Sequence, residues 1–165
     1  LGFEIHVPAQ FAAHVWDALL SADVAVTPFG VEAQRLLRLE KGHIIIGQDT
    51  DGLTTPLETS LDWALKMDKP FFVGQRSLRI IDQRALNQTL IGFSLPAAFA
   101  GPAPKECHLV IRDGQMAGRV TSVAHSPTLG HVIGLAFVTP DLAAAGTPFL
   151  LSLDDGLIVS ALLAF

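Results

Sequence analysis

The 165-residue chain is 50% hydrophobic and 16% charged, with a formal net charge of −5. This composition predicts one folded domain or two small ones, and it excludes intrinsic disorder. Its scattered lysines and arginines argue against a nucleic-acid partner, and the lack of an apolar run of roughly 18 residues argues against a membrane partner.

Helix-like and strand-like patterns alternate along the first 95 residues. Strict alternation marks the strands, and apolar spacing of three or four residues marks the helices. Pro8 suits a first helical turn and Gly42 suits a helix end. In chain order the patterns predict a strand at 3–7, a helix after Pro8, an extended piece at 24–26, a turn at 27–30, a second helix up to Gly42, a buried run at 44–46, a third helix at 73–84 and a strand at 89–95.

The texture changes after residues 96–104, where three prolines and a glycine mark a domain boundary. Beyond it the patterns predict short strands joined by turns: a hairpin of 108–112 and 116–122 around Asp113-Gly114, a strand at 131–138, and a hairpin of 146–153 and 157–165 around 154–156. This spacing indicates a small antiparallel β-barrel or sandwich. The predicted fold class is therefore α+β, with domains at 1–95 and 96–165.

The most unusual stretch is 37–63, which joins the second helix to a lone tryptophan through a long polar loop. Loops of this length inside a compact domain usually have a function. Ionisable residues crowd its entry and its exit, beside an apolar core. They are Arg38, Glu40, Lys41, Asp49, Asp51 and Glu58.

Each candidate site residue has a structural alternative. Alternation places Glu4 on the face opposite its apolar neighbours, as a solvated residue or as a carboxylate that accepts a pair of N–H donors. Arg38 and Glu40 are either solvated residues at a helix end or parts of a site. Trp63 is either a core residue, which is the default for a lone aromatic, or a surface for stacking a flat ligand.

Several other chemistries lack support in the sequence. Residues 42–47 have isoleucines where a phosphate-binding loop needs small residues. The six histidines are dispersed and none has metal-ligand spacing, so no metal site is predicted. Cys107 is the only cysteine, which fits a reducing, cytoplasmic setting, and it is interpreted as a small core residue rather than a nucleophile.

An ordered set of short motifs covers nearly the whole chain and resembles the glycine-cleavage T-protein family, the tetrahydrofolate-binding aminomethyltransferases. The motifs are Gly2-Phe3-Glu4-Ile5, Pro28-Phe29-Gly30, Leu37-Arg38-Leu39-Glu40-Lys41-Gly42, Thr55-Pro56, Leu61-Asp62-Trp63, the run 72–78, Asp113-Gly114, the run 118–122, Ser126-Pro127 and the run 133–136. The resemblance implies that residues 1–95 form part of the α/β folate domain and that residues 96–165 form the family's C-terminal barrel.

The run 40–52 is most similar to the folate module of sarcosine oxidase alpha subunits and dimethylglycine dehydrogenases. In those enzymes a flavin site elsewhere oxidises an N-methyl amine, and tetrahydrofolate captures the one-carbon unit. The resemblance therefore implies tetrahydrofolate as the cofactor here, with FAD or NAD on other domains or subunits of a hetero-oligomeric oxidase.

The resemblance also implies roles for three residues. Glu4 matches the glutamate that holds the pterin edge, and Trp63 matches a tryptophan beside the folate. Arg38 belongs to the Leu-Arg-Leu-Glu signature, where Arg38 and Glu40 are expected to shape the pocket as an ion-paired outer layer. The family's catalytic aspartate is expected upstream of residue 1, so the chain is expected to be a fragment that is inactive alone.

Three alternatives remain open. The first is a T-protein of a glycine cleavage system, which acts on a lipoyl-carried aminomethyl group. The second is a non-enzymatic relative in iron–sulfur cluster maintenance, although His43 replaces the cysteine of that group's motif. The third is a structural barrel used for subunit docking.

Overall fold

The structure is a computed structural model that describes residues 2–154, 156 and 158–163. The chain divides into two compact units, Leu1–Gln34 and Arg35–Phe165, and the division falls within a helix. The predicted domain boundary between residues 95 and 96 stays a prediction. Within the described residues, no helix is both long enough and apolar enough to cross a membrane.

The first unit is mainly helical. After Pro8, a short 3-10 turn (Ala9–Phe11) leads into α1 (Ala12–Leu20), which confirms the predicted first helix. The predicted strand at 3–7 is wrong, because this segment joins no ladder in the described part of the unit. Alternation alone does not make a strand, since the backbone groups also need a neighbouring strand to bond with.

Helix α2 (Val31–Glu40) ends where Gly42 was predicted to end it. Gly42 has a φ of 74°, and its N–H donates to the Leu39 carbonyl at 3.0 Å. The next N–H, of His43, donates to the Arg38 carbonyl at 2.8 Å. This pair of bonds is the Schellman ending that a left-handed glycine permits, and it turns the chain into the loop.

Two predictions for the loop region need correction. The run 44–46 is not wholly buried, because it enters a turn and leaves Ile46 76% exposed. Helix α3 (Gln75–Ile81) is shorter than the predicted 73–84. It starts after Gly74, whose φ of 91° is incompatible with a helical residue at that position.

Within the part of the chain that the structure describes, six antiparallel strands close into a barrel in the order β1-β4-β3-β2-β5-β6. The barrel and the preceding helices confirm the α+β class. The strands are β1 (Thr89–Ser94), β2 (Leu109–Arg112), β3 (Gln115–Ser126), β4 (His131–Val138), β5 (Pro148–Ser152) and β6 (Ile158–Leu163).

Local turn chemistry explains the strand connections. Asp113 and Gly114 have φ values of 50° and 75°, so the predicted Asp-Gly turn between β2 and β3 is confirmed. Between β5 and β6 the Gly156 N–H donates to the Leu153 carbonyl at 3.0 Å. The predicted second hairpin includes residues 155, 157, 164 and 165, which lie outside the described residues.

The barrel strands bury both of their faces in part. Ile91 and Phe93 of β1 point into the interior, where the Phe93 and Phe149 rings meet edge to face at 5.8 Å. The outer faces of β1 and β4 carry a second apolar cluster of Leu90, Ile133, Leu135 and Phe137, which packs with Leu39 of α2 and Ile44 of the loop. This second cluster fastens the helix end and the loop to the barrel.

Candidate functional site

The loop after α2 encloses a hollow of about 420 Å³ beside Trp63. A hollow of this size is typical of small-molecule sites. Trp63 lies in a short 3-10 turn (Asp62–Ala64) and is 72% exposed, which rules out the core interpretation of this residue. The lining residues are Gly42, His43, Ile44, Thr59, Ser60, Leu61 and Trp63.

A second hollow of about 190 Å³ shares Ile44, Thr59 and Leu61 with the first and has a more polar rim. On that rim Asp51 Oδ1 accepts the N–H groups of Leu53 and Thr54, each at 2.9 Å. These bonds lower the pKa of Asp51 below its ordinary value of 3.8. The turn therefore gains stability from the ionised form above pH 3.8 and loses it as the pH falls through the lowered pKa.

Asp49 is fully buried and lies at the centre of a cluster of polar contacts between the loop and β3. Its Oδ2 accepts Arg38 Nη1 at 2.6 Å and the Ile45 N–H at 2.8 Å. Its Oδ1 accepts the hydroxyls of Thr121, at 2.6 Å, and Ser122. Four donors thus use the whole acceptor capacity of the carboxylate, as a buried charge requires.

A β-bulge in β3 brings the two hydroxyls to one carboxylate. Val120 pairs with Ala136 of β4 and Ser122 pairs with the adjacent Leu135, so Thr121 is the extra residue. In a regular strand, consecutive side chains point to opposite faces, but a bulge re-aims one of them. Thr121 and Ser122 can therefore both donate to Asp49.

Arg38 and Glu40 are both engaged with other groups rather than solvated at a helix end. Arg38 Nη1 also donates to the His43 carbonyl at 3.1 Å, and Nη2 donates to Ser122 Oγ at 2.7 Å. The ion pair of Arg38 is with Asp49. Glu40 instead accepts the Ser126 hydroxyl at 2.6 Å.

Gln48 extends this set of contacts. Its Nε2 donates to Glu106 Oε1 at 2.8 Å and to Ser122 Oγ at 3.0 Å, and its Oε1 accepts Arg35 Nη2 at 3.1 Å. Sequence reasoning noted Asp49 as a charge without a role and missed the contacts of Gln48, Thr121 and Ser122. No local signal could have revealed them, because the partners of Asp49 on β3 are 72 and 73 residues away.

The three residues predicted to bind the cofactor are distributed over both units. Arg38 and Trp63 belong to the second unit. His43 connects them, because its carbonyl accepts a hydrogen bond from Arg38 and the residue lines the same hollow as Trp63. Glu4 belongs to the first unit, where it is exposed and its Oε2 lies 3.5 Å from His6 Nε2.

A separate polar cluster links the chain before β2 to the chain after β5. His108 Nδ1 accepts the Lys105 N–H at 3.1 Å, so Nε2 carries the ring proton toward Asp154 Oδ1 at 2.9 Å. The bond with Asp154 raises the pKa of Lys105, and the bonds with Lys105 and His108 lower the pKa of Asp154. Nearby Cys107 is exposed, so its interpretation as a core residue is wrong: the positive φ of 70° holds it in a surface turn.

Two family models match the chain in succession. The GCVT N-terminal domain matches residues 1–69, which include the Trp63 hollow. The glycine cleavage T-protein C-terminal barrel domain matches residues 88–161, which include most of the barrel strands.

Curated relatives agree with these matches. The chain is 38% identical over 148 residues to an aminomethyltransferase of Halothermothrix orenii, covering 88% of this chain and 41% of that protein. It is 35% identical over 147 residues to a sarcosine oxidase subunit alpha of Corynebacterium sp., covering 84% of this chain and 15% of that protein. The chain therefore spans about two fifths of the length of the aminomethyltransferase it matches.

A solved structure shares the fold. The crystal structure of glycine cleavage system aminomethyltransferase T from Bartonella henselae superposes with a TM-score of 0.83 at 24% identity, over 96% of this chain and 44% of that chain. At this identity the likeness shows the shared fold.

Proposed function

Because this chain belongs to the glycine-cleavage T-protein family, we propose that it serves folate-dependent one-carbon transfer as part of an aminomethyltransferase. The observation that carries this proposal is the 420 Å³ hollow beside an exposed tryptophan, inside the residues that match the T-protein N-terminal model. A large exposed indole at the mouth of a hollow is suited to a flat ligand ring, since aromatic rings stack in offset arrangements.

Tetrahydrofolate fits the chemistry of this hollow. The pyrimidine half of its reduced pterin is flat and polar and can stack on Trp63, and Ile44 and Leu61 supply apolar surface in the same hollow. Thr59 and Ser60 offer hydrogen-bonding groups at the same rim. Arg38 does not line the hollow. Its effect on cofactor binding is indirect, because it donates a hydrogen bond to the carbonyl of His43, which does line the hollow.

For the first unit taken by itself, the proposal is that the Glu4 carboxylate accepts a pair of ligand N–H groups. An ionised carboxylate can accept two parallel N–H donors, such as an exocyclic amine and the adjacent ring N–H. The Glu4 carboxylate is exposed, and its contact with His6 involves Oε2.

The bound folate would supply the nitrogen that accepts the one-carbon unit. The protein's contribution is to hold that nitrogen close to the donor, since proximity alone can supply a large part of the acceleration. None of the described residues is put forward as the proton-transferring group.

A second candidate is the folate module of a sarcosine oxidase, favoured by the 35% identity to an alpha subunit over 84% of the chain. Its partners would be flavin-bearing and dinucleotide-binding domains or subunits. The aminomethyltransferase is the better-supported candidate, because the sequence identity to it is higher, at 38%. The match also spans 41% of that protein, against 15% of the oxidase subunit.

Calorimetric titration of the native protein with tetrahydrofolate tests the proposal. Trp63→Ala should weaken binding about fivefold or more, because stacking on an aromatic side chain contributes roughly 1–3 kcal/mol per ring. Trp16→Phe in α1 is the matched control and should leave the affinity unchanged. Equal affinities of Trp63→Ala and wild type, or no binding by wild type at millimolar folate, would contradict the proposal.

The donor distinguishes the two candidates in the native protein. Methylenetetrahydrofolate formed from a lipoyl-carried aminomethyl group supports the aminomethyltransferase. Its formation from N-methylglycine, with reduction of a flavin, supports the oxidase module instead.

A further inference from the structure

We infer that Asp49 is a positioning residue through which the Thr121–Ser122 bulge of the barrel sets the wall of the Trp63 hollow. The effect of Asp49 on folate affinity rests on the proposed function. The geometric part of the inference, the effect of Asp49 on the position of residues 43–45, does not depend on any ligand.

In the first step, the barrel fixes the position of Asp49 through two hydrogen bonds. Both hydroxyls of the bulge donate to Asp49 Oδ1. Thr121 is buried, and its hydroxyl also lies 3.3 Å from the Leu135 carbonyl of β4. The register of β3 on β4 therefore determines where the carboxylate sits. A carboxylate held by two hydroxyls from a closed barrel has little freedom to move.

The second step runs from Asp49 to the hollow. Asp49 Oδ2 accepts the Ile45 N–H directly, and it orients Arg38, whose Nη1 donates to the His43 carbonyl. The backbone is thus held on each side of Ile44. His43 and Ile44 are wall residues of the hollow, so barrel geometry is transmitted to the wall within a few bonds.

A neighbouring contact separates positioning from simple attachment. Glu40 and Ser126 also join the end of α2 to β3, with a bond of 2.6 Å and a fully buried serine. Glu40 and Ser126 are not lining residues of the hollow. Loss of that bond should weaken the attachment without moving the wall, which makes Ser126→Ala a matched control.

Hydrogen exchange of the ligand-free protein tests the geometric part. In Thr121→Val/Ser122→Ala, protection of the Ile45 amide should fall at least tenfold, while the Leu95 amide, bonded to the Val132 carbonyl at 2.9 Å, keeps its protection. Ser126→Ala should leave Ile45 protection unchanged. Unchanged Ile45 protection in the double variant overturns the inference. If the double variant fails to fold, the same comparison is made with Thr121→Val alone.

Tetrahydrofolate titration of the native protein tests the functional part. The double variant should bind at least tenfold more weakly than wild type. Ser126→Ala should bind within twofold of wild type, and so should Thr121→Ser, because serine keeps the hydroxyl. Wild-type affinity in a folded double variant overturns the inference. If wild type does not bind folate while Ile45 still loses protection in the double variant, the proposed function fails and the positioning role of Asp49 is supported.

Discussion

Arg38 makes more polar contacts than a helix-end arginine ordinarily would. Its two terminal nitrogens reach Asp49, the His43 carbonyl and Ser122, and its side chain is only 12% exposed. The planar guanidinium suits this task, because its donors diverge in a fixed fork that an ammonium lacks. Arg38 also neutralises Asp49, its partner in a buried ion pair, so the loss of Arg38 acts mainly through Asp49.

Replacement of Arg38 by methionine should therefore destabilise the protein by about 3–5 kcal/mol, the usual cost of leaving a buried charge uncompensated. Arg38→Lys should lose less, since it keeps a charge but not the fork. Denaturant unfolding measures both. Arg76→Met, at an exposed position of α3, is the control and should lie within about 0.5 kcal/mol of wild type. Equal stability of the Arg38→Met and Arg76→Met proteins would contradict this role.

Strand β4 leaves no room for a side chain at Gly134. A Cβ atom at Gly134 would lie 2.4 Å from Phe93 Cζ and 2.6 Å from the Ser122 carbonyl oxygen. The first contact is with the barrel interior and the second is with the bulge that holds Asp49. Glycine at this position therefore lets β3 approach β4 at the point from which the loop is held.

Gly134→Ala should lower stability by about 1–3 kcal/mol, as overpacking of a filled core does. Thermal unfolding followed by circular dichroism measures the loss. Gly52→Ala is the matched control, because a Cβ there meets no atom within 4 Å, and its melting temperature should stay at the wild-type value. If the Gly134→Ala and Gly52→Ala proteins had the same melting temperature, β4 could accommodate a Cβ atom without loss of stability, which would contradict this prediction.

Across the whole molecule, burial is unevenly divided between the two units. No residue of 2–34 is buried, whereas the second unit contains both apolar clusters. Isolated helices of fewer than about 12 residues are marginal in water, and α1 has nine. Local stability should follow this division, because regions with few buried contacts open most readily.

Hydrogen exchange of the 165-residue chain should therefore give α1 amides protection below about tenfold, with β4 amides protected at least a hundredfold more strongly. The Val138 and Leu135 amides of β4 serve as internal references in the same experiment. Comparable protection of α1 and β4 would contradict the expectation that the second unit carries the stability of this chain.

The predictions that succeeded rest on short-range signals. A glycine after an amphipathic run placed the end of α2 at Gly42, an Asp-Gly pair placed the β2–β3 turn, and an apolar run placed β4 at its observed bounds. The strand at 3–7 failed because a strand also needs a partner, which no local pattern specifies. The ordered motifs identified the family, since they are specific as a set.

The sequence by itself determined the presence of the helices, the Asp113-Gly114 turn, the α+β class and the family, because each depends on neighbouring residues or on motif order. Only the tertiary structure decided that Asp49, Arg38 and the Thr121–Ser122 bulge converge, and that Trp63 lines a hollow instead of the core. The physical reason is sequence separation: contacts across 72 or more residues depend on barrel register and on one extra residue in β3. A one-residue change in that register would point the hydroxyls away from the carboxylate.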